Sequence, residues 1–423
     1  MAAVKCRYLL LLLLLPFSAY ADADRVIKQI EINGLEYSNA RVILRELPFS
    51  EGDVWQPGFA KTASRRLRNL GLFSEAHVTP PDSAGVVHIR VKDRWSLWLL
   101  PEASRSDSGA SSAGFALTEH NLWGLHHHAR LAMRRDTGKN FSGSNGNSYQ
   151  SSYAWRRIAD SNFGIDASFN DGSKIFDAYR NGVLSSSYVQ DQQSWSAGIR
   201  YGFGPVPGEG WDVRLGFAAN ESTYSLSNGP VLADVIDLRR HAVQFSANYR
   251  MVNDHITWYT GSEIDYSAEV AHKSLGSTIN SYKQTISWRR HRDLGEQNTL
   301  GYRINAGLLT GDILQDGLFD IGNRNSLRGY YPGELQGNAY IYGTLEGRYL
   351  WEPGSNVQMV GFVDAGHVSR NGQNALGKSV VVGAGGGVRW TLRWLVNGTI
   401  RVDGAYGFAT KKWRLYLGTG QAF

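Results

Sequence analysis

The chain has 423 residues, a net charge of +6 and a mean hydropathy of −0.32, with 48 glycines, 13 Trp, 21 Tyr and 16 Phe. The negative hydropathy argues against a helical membrane protein, whereas glycine above the average of roughly 7% and abundant tyrosine favour a β-rich chain. The positive charge is weak and scattered, so we predict no nucleic-acid partner.

Met1–Ala21 has the pattern of a secretory signal peptide. Its apolar run, Tyr8–Leu15, is too short to cross a bilayer as a helix and leads to a small-x-small cleavage site. The only cysteine, Cys6, precedes this run, whereas a lipoprotein cysteine would follow it. We therefore expect an exported mature chain without lipidation, disulfides or a cysteine metal site.

Residues 22–94 are predicted to form a small α+β domain in the order strand, helix, helix, strand, strand. Ser38 is the expected N-cap of the first helix. Pro57 is expected to open the second helix, and Gly71 to close it. The predicted strands lie at 26–35, 75–79 and 86–91. The basic residues of the second helix are predicted to be solvated, with partner contact as the alternative: Lys61, Arg65, Arg66 and Arg68.

From Trp95 to Phe423 the sequence alternates apolar and polar residues in segments of about ten, which is typical of tilted transmembrane strands. A soluble β-sandwich also alternates. Export, aromatic residues near segment ends and the terminal Phe423 favour the opposite arrangement, a barrel with its apolar residues facing lipid. The stretch Asn170–Val189 is either loop or strand extension.

Sixteen segments fit this pattern, an even number that closes an antiparallel barrel without free edges. We therefore predict a mostly β fold, in which one small domain precedes a 16-stranded antiparallel transmembrane β-barrel over 95–423. The candidate strands centre on 95–105, 112–120, 127–136, 149–158, 163–176, 193–203, 211–224, 239–252, 256–270, 282–293, 298–310, 339–351, 357–369, 380–393, 398–408 and 413–423.

A loop at about 311–338 separates two of these strands. Gly329, Pro332 and Gly333 restrict its backbone around one long cation, Arg328, which lies beside Leu327 and the Tyr330–Tyr331 pair. It is either an ordinary extracellular loop or one that folds back into the barrel with Arg328 as its anchor.

Alternation in the next two strands points Glu346 and Asp364 into the lumen beside this loop. Arg328 can bind both carboxylates, and in a partly hydrated lumen such a cluster contributes about 1–3 kcal/mol. The alternative is a set of ordinary lumen charges that balance each other.

Four stretches carry a family resemblance. Leu327–Tyr330 resembles the (V/I)RG(F/Y) loop motif of the BamA/TamA superfamily, which includes two-partner secretion transporters. Phe362–Gly366 resembles that family's strand-thirteen motif, whose aspartate (here Asp364) contacts the loop arginine, and Glu346 corresponds to its strand-twelve glutamate. Thr118–Gly124 is similar to its early-barrel turn.

The strand–helix–helix–strand–strand order, together with Asn69–Val78, resembles a POTRA domain, the family's periplasmic docking module. Only one such domain is present here, and Leu327 replaces the commoner valine. Relatives fused to a patatin lipase exist, but this chain has no room for that domain and no Gly-x-Ser-x-Gly elbow.

The resemblance implies an outer-membrane protein of a Gram-negative bacterium that inserts or secretes polypeptides, with its POTRA domain in the periplasm. The client would dock by strand addition on the POTRA residues Glu75, Ala76, His77, Val78 and Thr79. A weak seam between the first and last strands would carry Gly418, Gly420 and Phe423. The expected partners are a polypeptide client, membrane lipid and lipopolysaccharide; a periplasmic or inner-membrane partner stays open.

The remaining motifs give no enzyme. His126–His128 alternate faces in a strand without a neighbouring carboxylate, so no metal is predicted. No nucleophile–base spacing appears, and we predict neither catalytic residues nor a cofactor. The alternative functions are a passive or substrate-specific channel without a polypeptide client, and an adhesin-like scaffold.

Overall fold

The computed structural model describes residues 26–420 except 106–110, 138–145, 353 and 397. The predicted signal peptide, Cys6 and Phe423 lie outside the described residues. Within the described part of the chain, no helix is long and apolar enough to cross a membrane.

The small domain packs two helices on a three-stranded sheet. The central strand of the sheet is β3 (Val86–Asp93), which pairs in parallel with β1 (Gln29–Asn33) and antiparallel with β2 (Phe73–Val78). Alternation explains the face that β3 buries, because Val87, Ile89 and Val91 point to the helices while the residues between them are more exposed. The elements are β1 Gln29–Asn33, α1 Ala40–Leu44, α2 Phe59–Asn69, β2 Phe73–Val78 and β3 Val86–Asp93.

The predicted N-cap of α1 is wrong by one residue. Asn39 caps the helix, since its side chain accepts a hydrogen bond from the Arg41 N–H at 2.9 Å. Ser38 instead donates its hydroxyl to Asp93 at 2.7 Å and ties the helix entry to the end of β3. Both residue types favour capping positions, so the sequence alone does not choose between neighbours.

Sixteen long strands form one closed antiparallel barrel, in which the last strand, Lys412–Thr419, lies beside the first, Leu97–Arg105. This confirms the predicted fold class, and each long strand coincides with one predicted segment. The strands after β3 are β4 Leu97–Arg105, β5 Ser111–Leu122, β6 His127–Thr137, β7 Gly146–Trp155, β8 Phe163–Arg180, β9 Val183–Gly202, β10 Gly210–Asn228, β11 Leu238–Asp254, β12 Tyr259–Ala271, β13 Ser281–Gly295, β14 Asn298–Gly311, β15 Phe319–Asp320, β16 Gln336–Gly337, β17 Ala339–Leu350, β18 Val357–Arg370, β19 Gln373–Asn374, β20 Val381–Thr391, β21 Thr399–Gly407 and β22 Lys412–Thr419.

The stretch left open at 170–189 is strand extension on both sides of a short turn. β8 and β9 extend beyond their neighbours and meet at a tight turn over Asn181–Gly182, where both residues have positive φ. The two-residue strands β15 and β16 pair with each other inside the loop between β14 and β17.

The lipid-facing surface carries one uninterrupted line of glycines. Gly347, Gly361, Gly386 and Gly404 are direct cross-strand partners on β17, β18, β20 and β21. Leu415 of β22 continues the line on its far side. We call this line the glycine ladder.

The small domain is fastened to one mouth of the barrel. Arg66 on α2 binds Glu209 in the turn between β9 and β10 at 2.9 Å. Asn69 donates to the Val252 carbonyl at 2.7 Å and accepts from the Asp254 N–H at 2.9 Å, both at the end of β11. The prediction of a solvated basic face is therefore wrong for the residues that meet the barrel: Arg65, Arg66 and Arg68.

A second contact comes from α1. Glu46, just after that helix, forms a salt bridge with Arg157 in the turn between β7 and β8 at 2.9 Å, and both side chains are buried. Burial raises the pKa of Glu46 despite the neighbouring guanidinium of Arg157. The contact surface therefore combines hydrogen bonds with desolvated ion pairs.

Replacing Glu209 with alanine is expected to loosen the small domain from the barrel. The change removes the carboxylate that binds both Arg65 and Arg66 and leaves Arg66, which is 8% exposed, without this partner. A lost hydrogen bond to a charged group costs about 1.5–3 kcal/mol. Hydrogen exchange of α2 measures the effect, and Lys61→Ala on the exposed face of the same helix is the control. Equal exchange in both variants would contradict the proposed fastening.

Candidate functional site: the anchored loop

The loop between β14 and β17 packs inside the barrel. Its residues Leu327, Tyr330 and Leu335 are fully buried. They form one apolar cluster with inward side chains of the wall, among them Tyr342 and Val368. Of the two arrangements open from sequence, the structure has the loop folded back into the lumen.

Arg328 lies at the centre of this contact. Its Nε and Nη2 donate to the two oxygens of Asp364 at 2.8 and 3.0 Å, and its Nη1 donates to Glu346 at 2.7 Å. Its backbone N–H also donates to Asp364, at 3.0 Å. The guanidinium stacks on Phe362, 3.3 Å from the ring centroid. The structure thus brings together the three charged residues predicted for the anchor.

The cluster is drier than the partly hydrated lumen expected from sequence. Arg328 is 1% exposed, and the side chains of Glu346 and Asp364 are both 0% exposed. In such surroundings, removing one partner is strongly destabilising, by about 3–5 kcal/mol, because the remaining charge is buried without compensation. The anchor contributes more to holding the loop than a hydrated cluster would.

The charge network extends beyond the predicted residues. Glu346 also accepts from Arg348 at 2.8 Å, and Arg389 on β20 binds Asp403 on β21 at 2.6 Å. Arg389 and Asp403 lie at inward positions of their strands. The alternating pattern indicates that both side chains point inward, but only the register between β20 and β21 shows that they meet.

Two glycines permit the close approach of loop and wall. Gly329 has φ +96°, which disfavours any other residue. On the wall, a Cβ at Gly383 would lie 1.9 Å from the Arg328 carbonyl oxygen. The backbone of the loop therefore rests directly on β20.

Tyr330, the last predicted member of the anchor, joins the loop to the end of the barrel. Its hydroxyl donates to the Val382 carbonyl at 2.8 Å and accepts from the Ala409 N–H at 3.1 Å. Its own carbonyl accepts from the hydroxyl of Tyr416, an inward residue of β22, at 2.8 Å. Tyr416 is a site residue that the sequence did not single out.

The two predicted seam glycines that the structure describes lie at the end of β22. Gly418 pairs with Arg401 of β21, so its lack of a side chain leaves room on the lumen side for another residue. Gly420 follows the strand with φ +77°, and its N–H donates to the Thr399 carbonyl at 2.8 Å. Gly418 thus lies in the strand that borders β4, and Gly420 lies directly after it.

The predicted docking residues lie on the edge strand β2, with Thr79 just beyond its end. Glu75 and His77 are exposed, whereas Ala76 and Val78 are buried against the helices. The Thr79 N–H donates to His88 of β3, so by alternation the backbone of Ala76 and Val78 points away from β3.

The described ranges contain no group of three His, Asp or Glu residues placed to hold a metal ion. The His127 ring packs against Trp155, and the His120 ring against His128. These contacts are aromatic packing at the mouth next to the small domain.

Comparison with known proteins agrees with this architecture. A model of the Omp85 superfamily domain matches residues 121–423, and a POTRA model, the surface antigen variable number repeat, matches residues 26–94. The outer membrane protein assembly factor BamA of Neorickettsia risticii is 26% identical over 348 residues, which is 76% of this chain and 44% of that protein. BamA of Nitratidesulfovibrio vulgaris is 22% identical over 80% of this chain and 43% of its own length. The chain thus spans less than half the length of these relatives.

Solved structures share the fold at low sequence identity. BamA from Haemophilus ducreyi lacking POTRA domains 1–3 has a TM-score of 0.54 and 16% identity, covering 93% of this chain and 82% of that one. CdiB from Escherichia coli has a TM-score of 0.61 and 14% identity, covering 93% and 74%. With a family model matched over most of its length and the loop anchor in place, this chain belongs to the Omp85 superfamily.

Proposed function

We propose that this protein inserts polypeptides into the outer membrane or moves them across it. Its small POTRA domain receives the client in the periplasm, and the barrel passes it on at the seam between β4 and β22. The observation that supports this function best is the combination of a lumen occupied by an anchored loop and a docking domain fastened to the barrel mouth. A passive pore has no use for either, and the mechanism requires no catalytic chemistry.

On each edge of the POTRA sheet, a side chain already accepts a hydrogen bond from one backbone N–H. On β1, the side chain of Glu51 already occupies the Ile30 N–H at 2.9 Å. On β2, Ser64 accepts from the Val78 N–H at 3.2 Å, while the backbone of Ala76 points outward beside exposed neighbours. Edge strands with outward N–H and C=O groups pair with added strands. We place the proposed client site on β2, around Ala76, whose outward backbone lies beside the exposed side chains of Glu75 and His77.

Site-specific photocrosslinking in living cells tests this assignment. A photoreactive residue at His77, exposed on β2, is expected to capture an exported polypeptide, which mass spectrometry then identifies. The same residue at Glu31, exposed on the other edge strand β1, is the matched control. Capture of the same polypeptides from both edges would refute docking on β2.

A passive channel predicts different results from the same cells. Deleting residues 24–92 would then leave a large, stable conductance and wild-type behaviour. For a polypeptide-handling machine, the deletion is expected to abolish function even where the barrel still assembles.

A further inference from the structure

Arg324 reaches from the anchored loop to the last barrel strand. Its Nη1 donates to the backbone carbonyl of Leu417 on β22 at 2.7 Å. The same guanidinium lies beside Gly418, where a Cβ would be 2.9 Å from Nη1. Arg324 thus occupies the lumen side of β22 at the position where that strand has no side chain.

The hydrogen-bond pattern shows which way the Leu417 carbonyl points. Residues of an antiparallel strand direct their N–H and C=O alternately to one neighbour and then to the other. The Gly420 N–H donates to Thr399 in β21, so the even-numbered residues of β22 point to β21. Leu417 therefore points its carbonyl to the other side, the seam with β4.

The backbone that carries Arg324 is fixed by the barrel wall. Arg401 of β21, which is fully buried, donates to the Arg324 carbonyl at 3.0 Å and to the Asn325 side chain at 2.8 Å. Arg303 of β14 donates to the Asn325 carbonyl at 2.8 Å. The side chain of Arg324 consequently extends from a rigid support, unlike an arginine on a free surface loop.

The contact satisfies a backbone group on a strand that borders lipid. The Leu417 side chain faces outward and is 65% exposed, so the strand borders lipid at this point. A backbone carbonyl without a donor is costly in hydrocarbon. A guanidinium is a strong donor to such a carbonyl, because hydrogen bonds with a charged partner exceed neutral ones in strength.

We propose that Arg324 is a seam lock. Its guanidinium takes the donor position that a backbone N–H of a neighbouring strand would fill at Leu417, and it holds the β4-facing edge of β22 while no client is bound. An incoming client strand that pairs with β22 supplies this N–H and displaces Arg324. The identity of the displacing strand rests on the proposed function, whereas the lock is a property of the free protein.

Hydrogen exchange of the purified full-length protein in lipid nanodiscs, without any client, tests the lock. In Arg324→Ala, peptides covering residues 412–420 are expected to exchange about tenfold faster than in the wild type. Peptides covering 357–370 of β18 are expected to be unchanged. Arg324→Lys retains a charged donor, and its exchange rate over residues 412–420 is expected to lie between those of the wild type and Arg324→Ala.

Arg414→Ala is the matched control. Arg414 also joins β22 to the loop, through Glu334 at 2.8 Å, but its contact is between side chains and does not involve the seam-facing backbone. Wild-type exchange of residues 412–420 in Arg324→Ala, or equal acceleration in Arg414→Ala, would overturn the seam lock. If Arg324→Ala does not assemble, Arg324→Gln replaces it, because its shorter side chain does not reach the Leu417 carbonyl. We expect the same acceleration in this variant, and Arg414→Ala remains its control.

The two proposals fail separately. An accelerated β22 in Arg324→Ala, together with no polypeptide captured from β2, would retain the lock and remove the polypeptide client. Normal exchange of β22 in Arg324→Ala, together with a polypeptide captured from β2, would remove the lock and retain the polypeptide client.

Discussion

Replacing Arg328 with alanine is expected to release the loop from the lumen. The change leaves Asp364 buried without the guanidinium that binds both of its oxygens, and Glu346 retains Arg348. Breaking a buried ion pair by removing one partner costs about 3–5 kcal/mol. We therefore expect the loop of Arg328→Ala to be cut by protease added to intact cells and the folded barrel to unfold at lower temperature on heating in detergent.

Two further variants test whether the effect of Arg328→Ala comes from loss of the anchor. Arg328→Lys retains the charge but not the bidentate geometry, and it is expected to be intermediate. Arg393→Ala removes an exposed arginine that donates to the Gly354 carbonyl, so it is expected to change stability by no more than about 0.5 kcal/mol. If Arg328→Ala assembles, keeps a protease-resistant loop and behaves like Arg393→Ala, the anchoring role is wrong.

A single methyl group on the wall is expected to have a similarly large effect. In Gly383→Ala, the new Cβ would overlap the carbonyl oxygen of Arg328 at 1.9 Å, and the loop backbone has to move away from β20. This displacement separates the Arg328 guanidinium from its two carboxylates without removing any charge. Overpacking alone costs about 1–3 kcal/mol, and loss of the anchor adds to it. Loop proteolysis and thermal unfolding are again the measurements.

Gly361→Ala is the matched control for this prediction. Gly361 lies on the neighbouring strand β18 and faces lipid, and a Cβ there meets no atom within 4 Å. The same chemical change is therefore expected to be neutral or slightly stabilising, since it reduces the freedom of the unfolded chain. Equal behaviour of the two alanine variants would show that the loop does not rest on Gly383.

Most of the barrel could be predicted because period-two alternation fixes both the strands and the faces of their side chains. Glu346 and Asp364 were predicted to point inward from this pattern alone, and the loop sequence identified Arg328 as their partner. Alternation along a strand does not reveal the register between neighbouring strands. Arg389, Asp403 and Tyr416 complete the site through cross-strand neighbours, and many other inward polar residues look the same in sequence.

The small domain shows a second limit. An amphipathic helix predicts which face is buried by its own domain, and Leu67 and Ala63 of α2 follow that rule. The opposite, basic face was predicted to be solvated because the sequence does not show that the barrel turns lie against it. Docking between two folded units depends on surfaces that are each built from distant parts of the chain.

The glycine ladder has a mechanical consequence for the wall beside β22. Side chains that face each other across strands each contribute about 0.2–1 kcal/mol to holding a sheet in shape. Along Gly347, Gly361, Gly386 and Gly404 these contributions are missing on the outer surface, and only the backbone bonds join the strands there. Lipid acyl chains contact the backbone directly along this line. The wall can therefore bend across these four strands without collisions between side chains.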